Sequence, residues 1–247
     1  MSKLDKKYER SSKYDSQWIS DNWMGPHPLW LVEELCKNMD LRPGMKLLDM
    51  GCGKGLTSVF LAKEYGVTVF ANDLWVDATE NLRRFEEAGV ADRVFPIRAE
   101  AHVLPYANEF FDAAISIDSY HYYGTDESYF PGVYAKLVKP GGQFGIVIPG
   151  FTRDYENGYP DTLKSVWENG MFTFHNSLWW RQLWEKTGIV QVQTCYDVPS
   201  PKEIWMPWAK WSKEKMDFCD EELINADTAN DIALIAMTAV KKGDVKL

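Results

Sequence analysis

The residues with the clearest chemical potential lie in one short glycine-rich segment, LLDMGCGKG, at residues 47–55. Glycines at positions 51, 53 and 55 let a backbone turn sharply and approach a ligand closely. A helical pattern follows the segment, so the N-terminus of that helix is expected to point amide N–H groups at the ligand. The third glycine comes two residues after the second, not three as in the dinucleotide fingerprint, and this spacing disfavours NAD.

Two further acidic residues follow apolar runs that are typical of strands. Asp73 ends the second such run, and a carboxylate there can accept both hydroxyls of a ribose. An acid at the end of a buried strand is costly without a partner, and a ribose diol is a suitable one. Glu100 opens the segment EAHVLPY after the third run, where it is either a ligand-binding acid or a surface acid of a helix.

Five motifs in this order resemble the small-molecule type of class I S-adenosylmethionine-dependent methyltransferases. They are the glycine segment with Asp49 before it, the acid Asp73, the stretch at 98–106, FDAAI at 111–115 and LVKPGG at 137–142. The departure from the family pattern is Glu100, which stands where Asp is more usual. A single one of these motifs is weak evidence, but their joint agreement over about residues 25 to 150 is specific.

The resemblance implies S-adenosylmethionine as the cofactor and assigns residues to it. In the family, the ribose acid corresponds to Asp73, and the acid and amide that hold adenine correspond to Glu100 and Ala101. Asp49 either contacts the cofactor's amino group or braces the turn, and Cys52 lends only its backbone. The implied cofactor-binding residues are Asp49, Gly51, Cys52, Gly53, Gly55, Asp73, Leu74, Glu100 and Ala101.

The candidates for catalysis follow the fourth apolar run, at the edge that faces the methyl group in the family. Asp118 is a candidate for binding the acceptor or the cofactor's methionine end. His121 has an ordinary pKa suited to proton transfer near neutrality, although a packing histidine is the alternative. No histidine has a second ligand at metal spacing, so we expect no metal.

Alternating apolar runs and helical patterns must position these residues. They predict an α/β, Rossmann-like fold with helices on both faces of a mostly parallel sheet. The predicted strands are 46–50, 67–72, 93–98, 112–117, 143–148, 189–196 and 231–240, and the predicted helices are 29–39, 57–65, 75–88 and 125–138. The resemblance further implies seven strands, the last antiparallel, with the ligand at the carboxyl ends of the strands.

Around this core we predict three less regular parts. Residues 1–27 are treated as a flexible N-terminal arm that serves as a lid. Residues 28–247 form the methyltransferase domain, with aromatic-rich cap insertions at about 150–187 and 199–228. Trp205, Trp208 and Trp211 recur every three residues, which favours packing along a helix. If some line the pocket, they hold an ammonium or methylated amine by cation–π contacts, helped by acids such as Asp154, Glu156 and Asp161, and a flat apolar or aromatic acceptor would stack there equally well.

The composition limits which kinds of partner we expect the protein to bind. The formal charge of −9 and the isoelectric point near 5.0 oppose binding to nucleic acid, which needs Lys and Arg on phosphates. Four scattered cysteines, a charged N-terminus and the lack of a long apolar run favour a cytoplasmic protein without stable membrane association. The oligomeric state is not predicted.

These observations predict methyl transfer from S-adenosylmethionine to a small-molecule acceptor, with an amine as one candidate. Three alternatives stay open at this point. The first is cyclopropane-synthase-like or other altered sulfonium chemistry on the same fold. The second is a non-catalytic protein that binds S-adenosylmethionine, and the third is an NAD-dependent oxidoreductase, which the glycine spacing disfavours.

Overall fold

A central sheet of seven strands organises the chain in a computed structural model that describes residues 3–156 and 158–243. The strands are β1 (Lys46–Met50), β2 (Thr68–Asp73), β3 (Val94–Arg98), β4 (Phe111–Ile117), β5 (Val138–Phe151), β6 (Val190–Asp197) and β7 (Ile232–Lys241). Their order across the sheet is β3-β2-β1-β4-β5-β7-β6. The pairs from β3 to β5 are parallel, and β7 runs antiparallel to both β5 and β6. This confirms the predicted Rossmann-like sheet.

The strand order reverses at β1, which lies between β2 and β4. In parallel sheets of this kind the ligand crevice forms outside the carboxyl ends of the strands at such a reversal. β1 is well suited to this central place because four of its five residues are buried. Leu47 packs into the core on one face of the sheet, and Leu48 packs into the core on the other.

Helices cover both faces. They are α1 (Lys3–Lys7), α2 (Ser16–Asp21), α3 (Pro28–Cys36), α4 (Leu56–Tyr65), α5 (Ala78–Glu87), α6 (Ala135–Leu137), α7 (Ser177–Glu185), α8 (Pro201–Met216) and α9 (Asp220–Ala226). α5 begins later than predicted because Asp77 adopts an extended conformation and caps the helix, accepting a hydrogen bond from the backbone N–H of Thr79.

The predicted helix 125–138 is the least accurate assignment. The structure has a wide, π-type turn over Phe130–Tyr134, followed by the three-residue α6. Pro131 lacks a backbone N–H, which weakens regular α-helical bonding at this point. Regular pairing of β5 with β4 resumes at Gln143, where the sequence predicts the strand to begin, and residues 139–142 bulge between the paired Val138 and Gln143.

The N-terminal arm packs against the domain in this structure. Tyr8 is fully buried, and Ser11 donates from its backbone N–H and its hydroxyl to the buried carboxylate of Glu33 on α3. Tyr14 contacts the ring of Phe60 on α4 at 5.8 Å. The described arm is thus anchored by buried polar contacts, and its role as a lid stays a prediction.

His27 joins this arm to α3 and to α8. Its ring stacks on Trp30 at 3.8 Å, and its Nδ1 accepts a hydrogen bond from the backbone N–H of Trp30. Its own backbone N–H donates to the carbonyl of Ile204 on α8. Burial lowers the pKa of His27 to about 4, so the ring is neutral at neutral pH.

We predict that this neutral histidine makes the fold sensitive to acid. The unfolded chain binds a proton at His27 below pH 6.5, whereas the folded chain does so only near pH 4. The free energy of unfolding should therefore fall as pH drops through this window, by about 2 kcal/mol for this group at pH 5. His27→Asn keeps a helix-capping side chain without the titration, and urea unfolding at about pH 7 and 5 measures the difference. Equal losses of stability in both proteins would refute this assignment.

Candidate active site

A cavity of about 190 Å³ lies at the carboxyl ends of β1, β2 and β4. The glycine segment forms one wall, and residues directly after the strands complete it. Of the residues predicted to bind the cofactor, those that line this cavity are Gly51, Cys52, Gly53, Asp73, Leu74, Glu100 and Ala101. The fold thus brings together three segments that lie far apart in the sequence.

Two of the glycines are required by close approach as well as by backbone conformation. Gly51 has φ of +72°, and an added Cβ would overlap the side chain of Ser119, which follows β4. Gly55 has φ of +82°, and an added Cβ would overlap the ring of Phe85 on α5. Gly55 therefore does not face the cavity but lets α4 and α5 pack together behind it.

The backbone N–H groups of the glycine segment are already bonded within the protein. Gly51 and Cys52 both donate to the carbonyl of Asn72, at 2.8 and 3.0 Å. Gly53 donates to Oδ2 of Asp73 at 2.8 Å. These three N–H groups are therefore not available to a ligand. Anion sites of the nest type need such donors, so this segment suits a cationic ligand better than a pyrophosphate.

Asp73 is buried and holds the turn after β2. Its Oδ1 accepts the backbone N–H groups of Trp75 and Val76, at 2.8 and 2.9 Å, while its Oδ2 accepts Gly53. A carboxylate offers about four lone-pair positions. About one position remains for a ligand hydroxyl, which favours a single contact over the bidentate pair expected from the sequence. Leu74, beside it, is half exposed along the cavity wall.

Asp49 lies beneath the cavity and does not line it. It is fully buried, and its Oδ2 accepts the hydroxyls of Thr57 and Ser58 at 2.6 Å each. These contacts brace the turn, which is one of the two roles that the sequence allowed for Asp49. Its Oδ1 has no hydrogen-bond partner in the part of the chain that the structure describes. Burial raises the pKa of Asp49 to about 6.

Glu100 and Ala101 line another part of the cavity. The two carboxylate oxygens of Glu100 bond to the backbone N–H and the Nδ1 of His102, each at 2.8 Å. The hydrogen bond from His102 holds the pKa of Glu100 below its usual value, so this half-exposed acid is charged at neutral pH. Ala101 is buried, and its carbonyl accepts the hydroxyl of Tyr129.

A second cavity of about 660 Å³ adjoins the first. The residues that line both are Met24, Gly25, Pro26, Lys54, Trp75, Asp118 and Tyr122. Because these residues are shared, a ligand in the second cavity can reach one in the first. The arm, the glycine segment and the end of β4 all meet at this junction.

Asp118 is the carboxylate at the junction. Its φ is +57°, a strained conformation for a residue with a side chain, and its backbone N–H donates to the carbonyl of Val147 at 2.7 Å. Gly25 of the arm packs on its carboxylate so closely that an added Cβ would overlap Oδ2. Burial, and then the nearby charge of Asp220, raise the pKa of Asp118 well above its usual value.

His121 is buried and lines only the second cavity. Its ring lies 4.0 Å from the ring of Tyr122 and 5.7 Å from that of Phe174. Nδ1 has no hydrogen-bond partner among the described residues. Burial lowers the pKa of His121 to about 3, so the ring is neutral and can accept a hydrogen bond, but it is a poorer base near neutral pH than the sequence suggested.

The acids of the second cavity differ from those suggested by the sequence. Asp154, Glu156 and Asp161 are exposed and do not line it. Its carboxylates are instead those of Asp118, Glu168, Asp217 and Asp220. Asp220, at the start of α9, accepts a hydrogen bond from Nε1 of Trp208 at 3.2 Å. No motif marks these cap residues, so only their packing identifies them.

The aromatic residues divide between core and cavity. Trp180 and Trp184 are fully buried in the core under α7. Trp205, Trp208 and Trp211 lie on α8, pack into the other core and also line the second cavity, as Phe174 does. The expected packing role and the expected cavity role thus apply to the same three tryptophans.

Residues 3–156 and 158–243 contain no group of three or more His, Cys, Asp or Glu side chains arranged to hold a metal ion. None of their helices has the length and apolarity needed to cross a bilayer.

Comparison with known proteins agrees with this geometry. Residues 47–142 match the family model of a methyltransferase domain. The chain is 33% identical over 117 residues to methyltransferase GfsG of Streptomyces halstedii, covering 47% of this chain and 42% of that protein. It is 27% identical over 130 residues to the sterol 24-C-methyltransferase of Yarrowia lipolytica, covering 51% and 33%. The matched segments thus span less than half of either relative.

A solved structure shows the same fold. The phosphoethanolamine N-methyltransferase 2 of Haemonchus contortus, in complex with S-adenosyl-L-methionine, superimposes with a TM-score of 0.71 at 18% identity. The match covers 99% of this chain and 61% of that one. By the family model, residues 47–142 form a methyltransferase domain, and the motifs and the fold agree with the class I S-adenosylmethionine-dependent methyltransferases that the sequence resembles. S-adenosylmethionine is the cofactor of this class.

The site fits this cofactor. The first cavity offers a buried carboxylate at Asp73 that can accept a ligand hydroxyl, an acid at Glu100 and a glycine wall that a side chain would fill. Its carboxylates suit a ligand that carries a sulfonium and an ammonium charge, whereas the glycine segment has no spare N–H at positions 51, 52 or 53 for a dinucleotide.

We predict that Asp73→Asn weakens binding of S-adenosylhomocysteine by about tenfold or more, because one charge-assisted hydrogen bond and the Gly53 contact are lost. Isothermal titration calorimetry measures this change. Asp77→Asn is the matched control, since Asp77 is exposed, caps α5 and does not line the cavity. Unchanged affinity in Asp73→Asn with an intact fold would exclude Asp73 from the ribose site.

Proposed function

We propose that this protein transfers the methyl group of S-adenosylmethionine to the amino nitrogen of a small molecule. The observation that carries the proposal is the second cavity, where carboxylates and tryptophans meet directly beside the cofactor site. Asp118 lies at the junction, and Asp220 and Trp208 are hydrogen-bonded to one another in the same cavity.

The second cavity carries the carboxylates and aromatic rings that bind cations. Lys54 is the one Lys or Arg among the described residues that line either cavity, and its ammonium already donates to the carbonyl of Asp21. Carboxylates in a partly buried site are costly without a positive partner. Aromatic faces add an attraction of about 0.5–2 kcal/mol for each ammonium they contact. A protonated or methylated amine satisfies both.

The cofactor, when bound, supplies a methyl group that its sulfonium charge has already activated. The chain's own residues then need mainly to position the acceptor and exclude water, which can contribute roughly 7–11 kcal/mol. Gly25 and Pro26 of the arm, with Tyr122, enclose the junction from the outside. Asp118 aligns the amino group there.

An ammonium must lose a proton before its nitrogen can form a bond to carbon. Asp118 is placed to take that proton, because its raised pKa makes it a stronger base than an ordinary carboxylate. His121 assists as a neutral acceptor, because its Nδ1 is buried without a partner beside the same cavity. Of the two candidates named from the sequence, Asp118 takes the proton, and His121, whose lowered pKa makes it a weak base, accepts a hydrogen bond.

A second candidate is methyl transfer to an alkene carbon. The aromatic walls of the cavity would also stabilise a carbocation, and one relative is a sterol 24-C-methyltransferase. A protein that only binds the cofactor is the third possibility. Incubation with labelled S-adenosylmethionine and matched amine and alkene acceptors separates the three, because the label enters nitrogen, carbon or neither.

We predict that Asp220→Asn lowers kcat/KM for the amine acceptor by about tenfold or more, chiefly by raising KM, because a charged partner of the ammonium is lost. Asp161→Asn is the control, since Asp161 is an exposed acid of the same cap region outside the cavity. Steady-state kinetics on both variants measures the effect. If Asp220→Asn and the control have equal kinetics, Asp220 does not take part in acceptor binding.

A pH dependence follows from the raised pKa of Asp118. A cation binds the deprotonated carboxyl, so affinity should rise as pH increases through that raised pKa. Tetramethylammonium is a suitable probe because it keeps its charge at every pH, so only the protein titrates. Calorimetry with S-adenosylhomocysteine present should show tighter binding toward alkaline pH in the native protein and a smaller rise in Asp118→Asn, where Asp220 still titrates in the same cavity. A flat profile in the native protein would refute the carboxylate site.

A further inference from the structure

The exposed apolar side chains of this protein are concentrated at the second cavity. Eleven large hydrophobic residues are exposed in the described part of the chain, and five of these line this one cavity. They are Met24, Trp75, Tyr122, Met216 and Phe218. Exposed apolar residues scattered singly need no explanation, but a cluster around one opening marks a surface that binds an apolar group.

The cluster has an inner and an outer side. Trp75 and Tyr122 contact each other edge to face at 6.0 Å and line both cavities, so they lie at the junction. Met216, the last residue of α8, and Phe218, in the connection to α9, line only the second cavity and so lie on its side away from the first cavity. They are 50% and 45% exposed and form part of the rim.

Between the two sides the wall is apolar. Met171, Trp205 and Leu223 are buried there, and Phe174 and Trp211 are partly buried. The volume of about 660 Å³ is in the range of pockets that take drug-sized ligands. An amine of only a few atoms would leave most of this apolar wall against water.

The same cavity is poorly suited to a phosphate. Its described lining carries four carboxylates, and its one basic side chain, Lys54, is engaged by the carbonyl of Asp21. A phosphate bound here would face like charges without an available cationic partner. The acceptor expected for this cavity therefore differs from that of the phosphoethanolamine N-methyltransferase 2 of Haemonchus contortus, whose name specifies a phosphorylated amine.

We infer that the acceptor is an unphosphorylated amphiphilic amine, whose ammonium lies at Asp118 and Asp220 and whose alkyl or aryl body extends along α8 to Met216 and Phe218. The position of the ammonium rests on the proposed function. The apolar body and the exclusion of phosphate rest on the wall, the rim and the charges of the cavity.

Two homologous series of ligands test this inference separately from the amine assignment. Calorimetry on protein saturated with S-adenosylhomocysteine compares linear alkylamines with linear alkanols of equal length. We expect affinity to rise in both series, by up to about fourfold for each added methylene that the cavity buries. The amines should bind more tightly than the alkanols at every length. Phosphoethanolamine should bind more weakly than ethylamine.

Variants at the rim locate the apolar body. The double variant Met216→Ser with Phe218→Ser should reduce the dependence of affinity on chain length for the longer amines. Leu178→Ser is the matched control, because Leu178 is equally exposed but lies on α7 away from the cavity. The control should keep the native dependence on chain length.

The outcomes are distinct. Affinity independent of chain length, or a rim variant that behaves as the Leu178 control does, overturns the apolar body. Phosphoethanolamine binding as tightly as ethylamine overturns the exclusion of phosphate. If alkanols bind as tightly as amines at every length and affinity still rises with chain length, the proposed amine acceptor is wrong but the inference of an apolar body is retained.

Discussion

The carboxylate of Asp73 fixes the geometry on which the site depends. By accepting the N–H groups of Gly53, Trp75 and Val76, it ties the glycine segment to the end of β2. The carbonyl of Asn72 bonds to Gly51 and Cys52 in the same way. The turn is therefore held by the protein itself before any ligand arrives. Such preorganisation reduces the free-energy cost of binding, because little backbone has to be ordered.

A second constraint is the shared wall between the two cavities. Asp118 adopts a left-handed backbone conformation at the end of β4, and the arm packs on its carboxylate at Gly25. Backbone strain of this kind persists only where the surroundings determine it, and it is common at functional sites. The strand end, the arm and the cap are therefore coupled at one residue. A change in any of them will alter both cavities.

The two cavities are built from different parts of the fold. The parallel half of the sheet provides the cofactor cavity, and this is the part that the family model covers. The second cavity is built mainly from α8, α9 and the segments before α7, which lie outside that match. Folds of this kind carry many different chemistries, so acceptor choice has to be argued from the cap itself.

The sequence by itself determined the sheet and the cofactor class, and seven of the nine residues it predicted to bind the cofactor line the first cavity. This was possible because Asp73 ends β2, Glu100 and Asp118 closely follow β3 and β4, and parallel strands bring their carboxyl ends together. Local chemistry also set the start of α5 at the Asp77 cap, which the sequence pattern placed three residues too early.

Only the tertiary structure decided which side chains line the second cavity. Asp220 and Trp208 lie 12 positions apart on two cap helices, and no sequence spacing required their side chains to meet at one cavity. Asp154, Glu156 and Asp161 are also carboxylates near aromatic residues in the chain, yet they face solvent. The difference arises from how α8 and α9 pack on the sheet, which depends on contacts between distant residues and not on local pattern.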